Sequence, residues 1–288
     1  MAAQDQSHAP DESTYVVDAQ SAAEMSRLMR QEKLLTRSMG GIFPEGPDLS
    51  GVRRVLDLAC GPGGWVLETA FSYPEMRVTG VDISERAVAY ANAQAMAQHL
   101  PNASFQVMNV QQPLAFADAS FDLVNERLIV GFMRPDKWPG LIQECLRILR
   151  PGGILRFTEF EPGFTNKPFL EKALGMVTRA MKLGGYTFSP DGLHFNIIPM
   201  LPGFFREAGL QRIQKMAHVI EFSENVEARD SFYHDTAIGF QLVEPFIEKV
   251  GLATVGEWRE IYKKAIAEIF EEDFRAIWFF LTVWGRKP

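Results

Sequence analysis

Residues 57–65, DLACGPGGW, place a carboxylate, a thiol and three glycines in one short stretch. Three chemistries fit that composition: redox at Cys60, a phosphate cradle, or a backbone turn shaped for another ligand. Redox chemistry wants a second thiol nearby, and the only other cysteine is the distant Cys145, so Cys60 reads as a small residue packed in a turn. Gly61, Gly63 and Gly64 permit positive φ and let backbone N–H groups approach a ligand closely. A Walker loop needs Lys and then Ser or Thr after its last glycine, whereas Trp65 and Val66 follow here. A dinucleotide fingerprint starts well with Gly61-Pro62-Gly63 and finds Asp82 about 20 residues on. Its third glycine, however, is Val66, and Asp57 would repel a pyrophosphate. A carboxylate at position 57 suits a ligand carrying an ammonium group and no phosphate.

Side chains able to move a proton lie further along. Glu126 follows an apolar run, Glu159 closes another, and Tyr186, His194 and His234 sit in irregular segments. These five are the candidate general bases, histidine being the natural one near neutral pH. His8, His99 and His218 have no metal-ligand spacing with one another or with a cysteine, so no metal site is expected.

The elements that must hold these groups can be read from periodicity. A helical pattern with Met25, Leu28, Met29, Leu35 and Met39 runs from Ala19 to Met39 and stops at Gly40-Gly41. RRVLDLA (53–59) then reads as a buried strand that passes through the glycine turn into a helix starting near Trp65. RVTGVDI (77–83), SFQVMNV (104–110), FDLVNER (121–127) and ILRFTEFE (154–161) are further strands. The helices between them are residues 84–100, with Ser84 as N-cap, and residues 137–150, with an apolar face of Leu141, Ile142, Cys145, Leu146 and Leu149. Residues 201–208 form another helix, and LQRIQKMAHVIEF (210–222) and AIWFFLTVW (276–284) are the last two strands. Strand–helix alternation predicts an α/β fold with a doubly wound, mostly parallel sheet of seven strands and helices on both faces. Two segments break the regularity. Residues at about 162–199 hold glycines, prolines, aromatics and two short helical patterns, and residues at about 223–273 are helical. The expected organisation is an N-terminal tail and helical cover over residues 1–50, followed by one domain over residues 51–288 carrying both insertions, which shape a substrate pocket. Phe160, Phe164, Phe169, Tyr186, Phe188, Phe195, Phe204 and Phe205 are the aromatics that would line it.

VLDLACGPGGW, VTGVDIS, FADASFDLV and LRILRPGGIL together resemble the ordered motifs of class I S-adenosylmethionine-dependent methyltransferases. The similarity is strongest with the small-molecule branch that includes ubiquinone- and menaquinone-biosynthesis-type enzymes, and it covers roughly residues 54–160. It implies S-adenosylmethionine as cofactor. Asp57, Ala59, Cys60, Gly61 and Gly63 would contact its methionine part, largely through backbone, with Asp57 organising the turn and the ammonium group. Asp82 would bind the ribose hydroxyls and Ile83 would pack on the adenine. Asn109, Val110 and Gln111 would border the adenine, and Asn125 would lie near the sulfonium. Tyr15 and residues 27–31 resemble a segment that folds over the cofactor. Two departures stand out. Ala59 replaces a common glycine, and Val110 replaces a common Asp that pairs with the adenine amino group, a bond left to Asn109 or Gln111. The implied reaction is methylation of a fairly apolar small molecule, at oxygen first, with carbon or nitrogen close behind. The alternative is a cofactor-binding protein that supports a cyclisation or rearrangement without methyl transfer.

The bulk composition agrees with a small-molecule enzyme. The chain has 288 residues, is 47% hydrophobic and 23% charged, and carries a net charge of -7 with no concentrated basic tract. Nucleic acid is therefore not an expected partner. Two cysteines rule out a disulfide framework and point to a reducing compartment, the cytoplasm. The opening MAAQDQSHAPDEST has neither basic n-region nor apolar h-region, so no secretory signal is expected. AIWFFLTVW is about half the roughly 20 residues a membrane helix needs.

Overall fold

The computed structural model describes residues 21–223 and 226–288. Five strands, β1 (Arg54–Leu58), β2 (Arg77–Asp82), β3 (Ala103–Val107), β4 (Phe121–Arg127) and β5 (Leu149–Thr165), form a parallel sheet. β6 (Gln211–Glu221) and β7 (Ala276–Arg286) complete it in the order β3-β2-β1-β4-β5-β7-β6, with β7 antiparallel to both neighbours. β1 and β4 are buried along nearly their whole length. That is expected of central strands covered on both faces, and it explains why they read as continuous apolar runs rather than alternating ones.

α2 (Gly64–Ser72) and α3 (Glu85–Ala97) follow β1 and β2, and α4 (Trp138–Ile148) precedes β5. Ser84 caps α3 as expected, its Oγ accepting the Ala87 N–H at 3.2 Å. On one face of the sheet Trp65, Val66, Ala91 and Phe105 form a core, and on the other Trp138, Ile142, Phe157 and Phe205 do so. α1 (Ala22–Met39) ends at a left-handed Gly40, where the Gly40 and Gly41 N–H groups close onto Arg37 and Thr36 carbonyls.

In place of two short helical patterns, the first insertion holds one 16-residue helix, α5 (Pro168–Leu183). It runs through Gly175 because Leu170, Ala173, Ala180 and Met181 bury a continuous face. That packing outweighs the roughly 1 kcal/mol an interior glycine costs. A short α6 (Leu201–Glu207) precedes β6. The second insertion comprises α7 (Val226–Leu242), α8 (Glu244–Lys249) and α9 (Val255–Glu268), the last opened by a Thr254–Glu257 capping box. No helix among the described residues is long and apolar enough to cross a membrane.

Candidate functional site

At the carboxyl end of β1 the chain turns through Ala59 (φ 51°), Gly61 (φ 51°) and Gly63 (φ 82°). Ala59 holds a left-handed conformation that costs an L-residue about 1–2 kcal/mol, which is the physical reason a glycine is common there. Gly63 is fixed by sterics, since a Cβ would lie 2.5 Å from the Phe105 ring and 2.9 Å from Ala91. The turn is tied to β2 by backbone and carboxylate. Cys60 N–H donates to the Val81 carbonyl at 2.9 Å. Asp82 accepts from Gly61 N–H at 2.9 Å through one oxygen and from Ser84 N–H at 2.8 Å through the other. Burial pushes the Asp82 carboxyl above its usual range, and those two N–H groups pull it back part of the way.

Above this turn lies a cavity of about 250 Å³. Ala59, Cys60, Gly61, Asp82, Ile83, Asn109, Val110 and Gln111 all line it, so eight of the anticipated cofactor residues converge. Three others do not line it. Gly63 is a packing glycine. Asp57 is 4% exposed, and its Oδ1 accepts from Asn125 Nδ2 at 2.7 Å. Asn125 Oδ1 in turn accepts from Arg156 Nη1 at 2.6 Å, and Arg156 pairs with Glu45. Asp57 and Asn125 are thus the first links of a buried polar chain beneath the turn. Asn125 does not line the cavity, its side chain being taken up by Asp57 of β1 and Arg156 of β5. Burial first of all, opposed by the Asn125 hydrogen bond, raises the Asp57 carboxyl to about 7. Tyr15 lies outside the described residues.

Residues 28, 31 and 32 of α1 cover the cavity together with Met25 and Arg27, and Arg127–Ile129 form the opposite wall. Glu32 has no counterpart in the sequence reading. Its signal is nonetheless there: positions 25, 28, 32, 35 and 39 form one helical stripe, and Glu32 is the charged residue in it.

A second cavity of about 190 Å³ adjoins the first and shares Arg27, Gln31, Gly131 and Phe160 with it. Its walls are largely apolar: Phe160, Leu174, Val177, Met181, Phe195, Phe240, Val243 and Trp278. Of the eight aromatics anticipated for a chamber, Phe160 and Phe195 line it. Phe205 is core, and Phe164 is 66% exposed. At the junction Asp235 Oδ1 accepts from Arg27 Nη1 at 2.7 Å and Gln31 Nε2 at 3.1 Å, joining α7 to α1.

None of the five candidate bases lines either cavity. Glu126, near the end of β4, and Glu159, within β5, are fully buried, and Glu159 Oε1 accepts from Ile129 N–H at 2.7 Å and Val130 N–H at 2.9 Å. Glu126 accepts from Ile129 N–H at 3.1 Å. Burial raises Glu159 to about 8 and Glu126 well above its ordinary value, so this pair retains a proton and serves to hold the cavity wall. Tyr186 is buried beneath Arg134 and against Phe246. His194 lies exposed on the loop after α5. His234 is 3.5 Å from Asp230 on the same helix.

A cavity across the carboxyl ends of β2, β1 and β4, over a tight turn, is where open, Rossmann-like α/β sheets bind their ligands. Residues 55–153 match the methyltransferase domain family model. Over 105 residues the chain is 39% identical to the malonyl-[acyl-carrier protein] O-methyltransferase of Enterobacter lignolyticus, a segment covering 36% of this chain and 38% of that one. Against the first curated relatives in general, the matched segments span 38% to 59% of the relative's length. The fold is shared with Haemonchus contortus phosphoethanolamine N-methyltransferase 2, solved with phosphomonomethylethanolamine and S-adenosylhomocysteine (TM-score 0.53, 17% identity, 94% of this chain and 60% of that one). It is shared equally with the [4+2]-cyclase SpnF (TM-score 0.52, 20% identity, 96% and 99%). The residues around the first cavity fit S-adenosylmethionine: a carboxylate suited to a diol at Asp82, amides at Asn109 and Gln111, and an arginine, Arg127, whose Nε and Nη2 have no partner among the described residues.

Proposed function

We propose that this protein transfers a methyl group from S-adenosylmethionine to a fairly apolar small molecule, with oxygen the favoured acceptor atom and carbon or nitrogen next. The supporting observation is the pair of adjoining cavities, one bordered by the polar turn and the other by apolar side chains, which meet at Arg27, Gln31, Gly131 and Phe160. In this reading residues 51–288 act as one catalytic unit beneath α1, and no nucleic acid is a partner.

The cofactor supplies an electrophilic methyl on a sulfonium, and the protein's task is alignment and exclusion of water. Asp82 accepts from the ribose hydroxyls while its two backbone N–H donors hold its oxygens in place. Ile83 and Val110 pack against the adenine, whose amino group turns to Asn109 or Gln111. Phe160, stacked on Trp278 at 5.4 Å between centroids, gives the acceptor a flat apolar wall at the junction. α1 closes over both ligands, held to α7 by the Arg27–Asp235 ion pair.

The second reading, a bound cofactor that supports a cyclisation or rearrangement without methyl transfer, is favoured by one observation: no candidate base lines either cavity. Calorimetry with S-adenosylmethionine and S-adenosylhomocysteine tests the common part, and absence of binding to both would refute it. Mass spectrometry of the product then separates the two readings. A gain of one methyl supports transfer, and an isomer formed without cofactor turnover supports the alternative.

A further inference from the structure

We propose that Arg127 and Glu32 form a clamp for the zwitterionic end of the cofactor, Arg127 receiving its α-carboxylate and Glu32 its α-ammonium group. This rests on reading the first cavity as the S-adenosylmethionine site.

The sheet order sets the two ends of the site. β2, which carries Asp82, and β4, which carries Arg127, flank β1 on opposite sides, so their carboxyl ends lie two strand spacings, about 10 Å, apart. Asp82, Ile83 and the loop after β3 all belong to the first side. Arg127, Glu32 and the start of α2 form the other. A ligand with a nucleoside at one end and an amino acid at the other has its amino acid over β1 and β4.

Arg127 is suited to an anion. Its side chain is 8% exposed and lines the cavity. Nη1 donates to Thr36 Oγ1 at 3.0 Å and to Glu32 Oε1 at 3.3 Å. Nε and Nη2 are buried and have no partner among the described residues. Those two nitrogens form the edge of the guanidinium that receives a carboxylate in the bidentate manner. Three other arginines of this chain use that same edge so: Arg27 on Glu24, Arg147 on Glu144 and Arg259 on Glu244, all at 2.7–2.9 Å. A buried guanidinium with that edge unfilled is costly until an acceptor arrives. The other cation on the cavity wall, Arg27, is already committed to Glu24 and Asp235.

Glu32 supplies the complementary charge. Its Cγ lies where a Cβ on Gly64 would come within 2.6 Å, so the glycine at 64 is what lets this carboxylate reach the turn. The bonds from Thr36 and Arg127 both fall on Oε1. Asp57, the carboxylate expected beside the ammonium group, is sealed beneath the turn by Asn125, and Glu32 takes its place at the cavity wall. Leu128, next to Arg127, sits at φ 63°, a strained conformation for a branched side chain and one that clusters at functional sites.

The test compares two ligands that differ only in the amino acid. S-Adenosylhomocysteine carries it, and 5′-methylthioadenosine keeps the nucleoside and thioether without it. By calorimetry the wild type binds the first more tightly. Arg127→Met loses about 10- to 100-fold for S-adenosylhomocysteine, the range for charge-assisted hydrogen bonds, with methylthioadenosine affinity unchanged within about twofold. Arg127→Lys recovers part of the loss, and Glu32→Gln loses less than Arg127→Met, again for S-adenosylhomocysteine alone. Parallel loss for both ligands, or unchanged S-adenosylhomocysteine affinity in Arg127→Met, overturns the clamp while leaving the cofactor reading intact. A wild type that binds neither ligand overturns the cofactor reading and the clamp with it.

Discussion

The two cavities meet at one junction and are built by opposite means. The first rests on backbone: a turn with three left-handed residues, one carboxylate accepting from two N–H groups, and short loops after β2 and β3. Its polar features around the turn come from a few consecutive residues at the ends of parallel strands, and α1 adds Arg27, Gln31 and Glu32 from above. The second is made of side chains from α1, α5, α7, β5 and β7, brought together by contacts such as Arg27–Asp235 between elements at the two ends of the chain. Under the proposed reading, the donor would be held by the backbone turn, and the acceptor would be met by side chains on inserted helices, which leave the turn untouched.

The strongest way to break this contrast is to disturb the backbone of the turn. Gly63→Ala must place a Cβ 2.5 Å from the Phe105 ring and hold φ at 82°. The overpacking and the left-handed strain together should cost about 2–5 kcal/mol. Urea denaturation reads this directly, and a loss below about 1 kcal/mol would mean that the turn tolerates rearrangement and is not the rigid element described.

The Ile129–Val130 backbone beside the first cavity is held by Glu126 and Glu159, and the protonation of that pair sets the next largest effect. The folded value of Glu159 is raised from 4.5 to about 8. Between those values the folded chain holds a proton that the unfolded chain has released. Stability therefore falls as pH rises through this window, and it is greatest, as far as this pair is concerned, below about 4.5. The total is on the order of a few kcal/mol. Thermal unfolding over a pH series should show that decline in the wild type and a flatter profile in Glu159→Gln. Equal slopes in the two proteins would place the proton elsewhere.

Smaller, and confined to the first cavity, is the effect of Asp82→Ala on cofactor affinity. Loss of charge-assisted hydrogen bonds to the ribose should weaken S-adenosylhomocysteine binding by about 1–3 kcal/mol. Unchanged affinity would show that the ribose lies away from Asp82.

The same contrast governs what the sequence made legible. The seven strands, the Ser84 cap and the wall residues Asp82, Ile83 and Asn109–Gln111 follow from local periodicity and from motifs a few residues long. The two glutamates among the candidate bases failed to reach a cavity for a shared physical reason: this chain uses carboxylates to hold backbone. Glu159 accepts from Ile129 and Val130 N–H groups, Glu161 from Phe195 and Ile197, and Glu268 from Phe169 and Leu170. The partners are main-chain groups, most of them remote in sequence, and any residue type supplies them. A carboxylate pin and a catalytic carboxylate thus look alike in one dimension. Glu32 was overlooked because its value depends on Gly64 and Arg127, which only the packing of α1 brings beside it.

The finest test expects almost nothing on one side of the junction. Val177 on α5 lines the second cavity and not the first. Val177→Trp should fill much of the apolar chamber with a ring that touches no element of the turn. The two cavities share only Arg27, Gln31, Gly131 and Phe160, none of them in the turn, and the turn's backbone is tied to β2 through Cys60 and Gly61. Affinity for S-adenosylhomocysteine should then stay within about twofold, well under the 1.4 kcal/mol that a tenfold change represents. Calorimetry that instead showed a tenfold loss would mean that α5 supports the donor site, and the division of labour between backbone and inserted side chains would not hold for this chain.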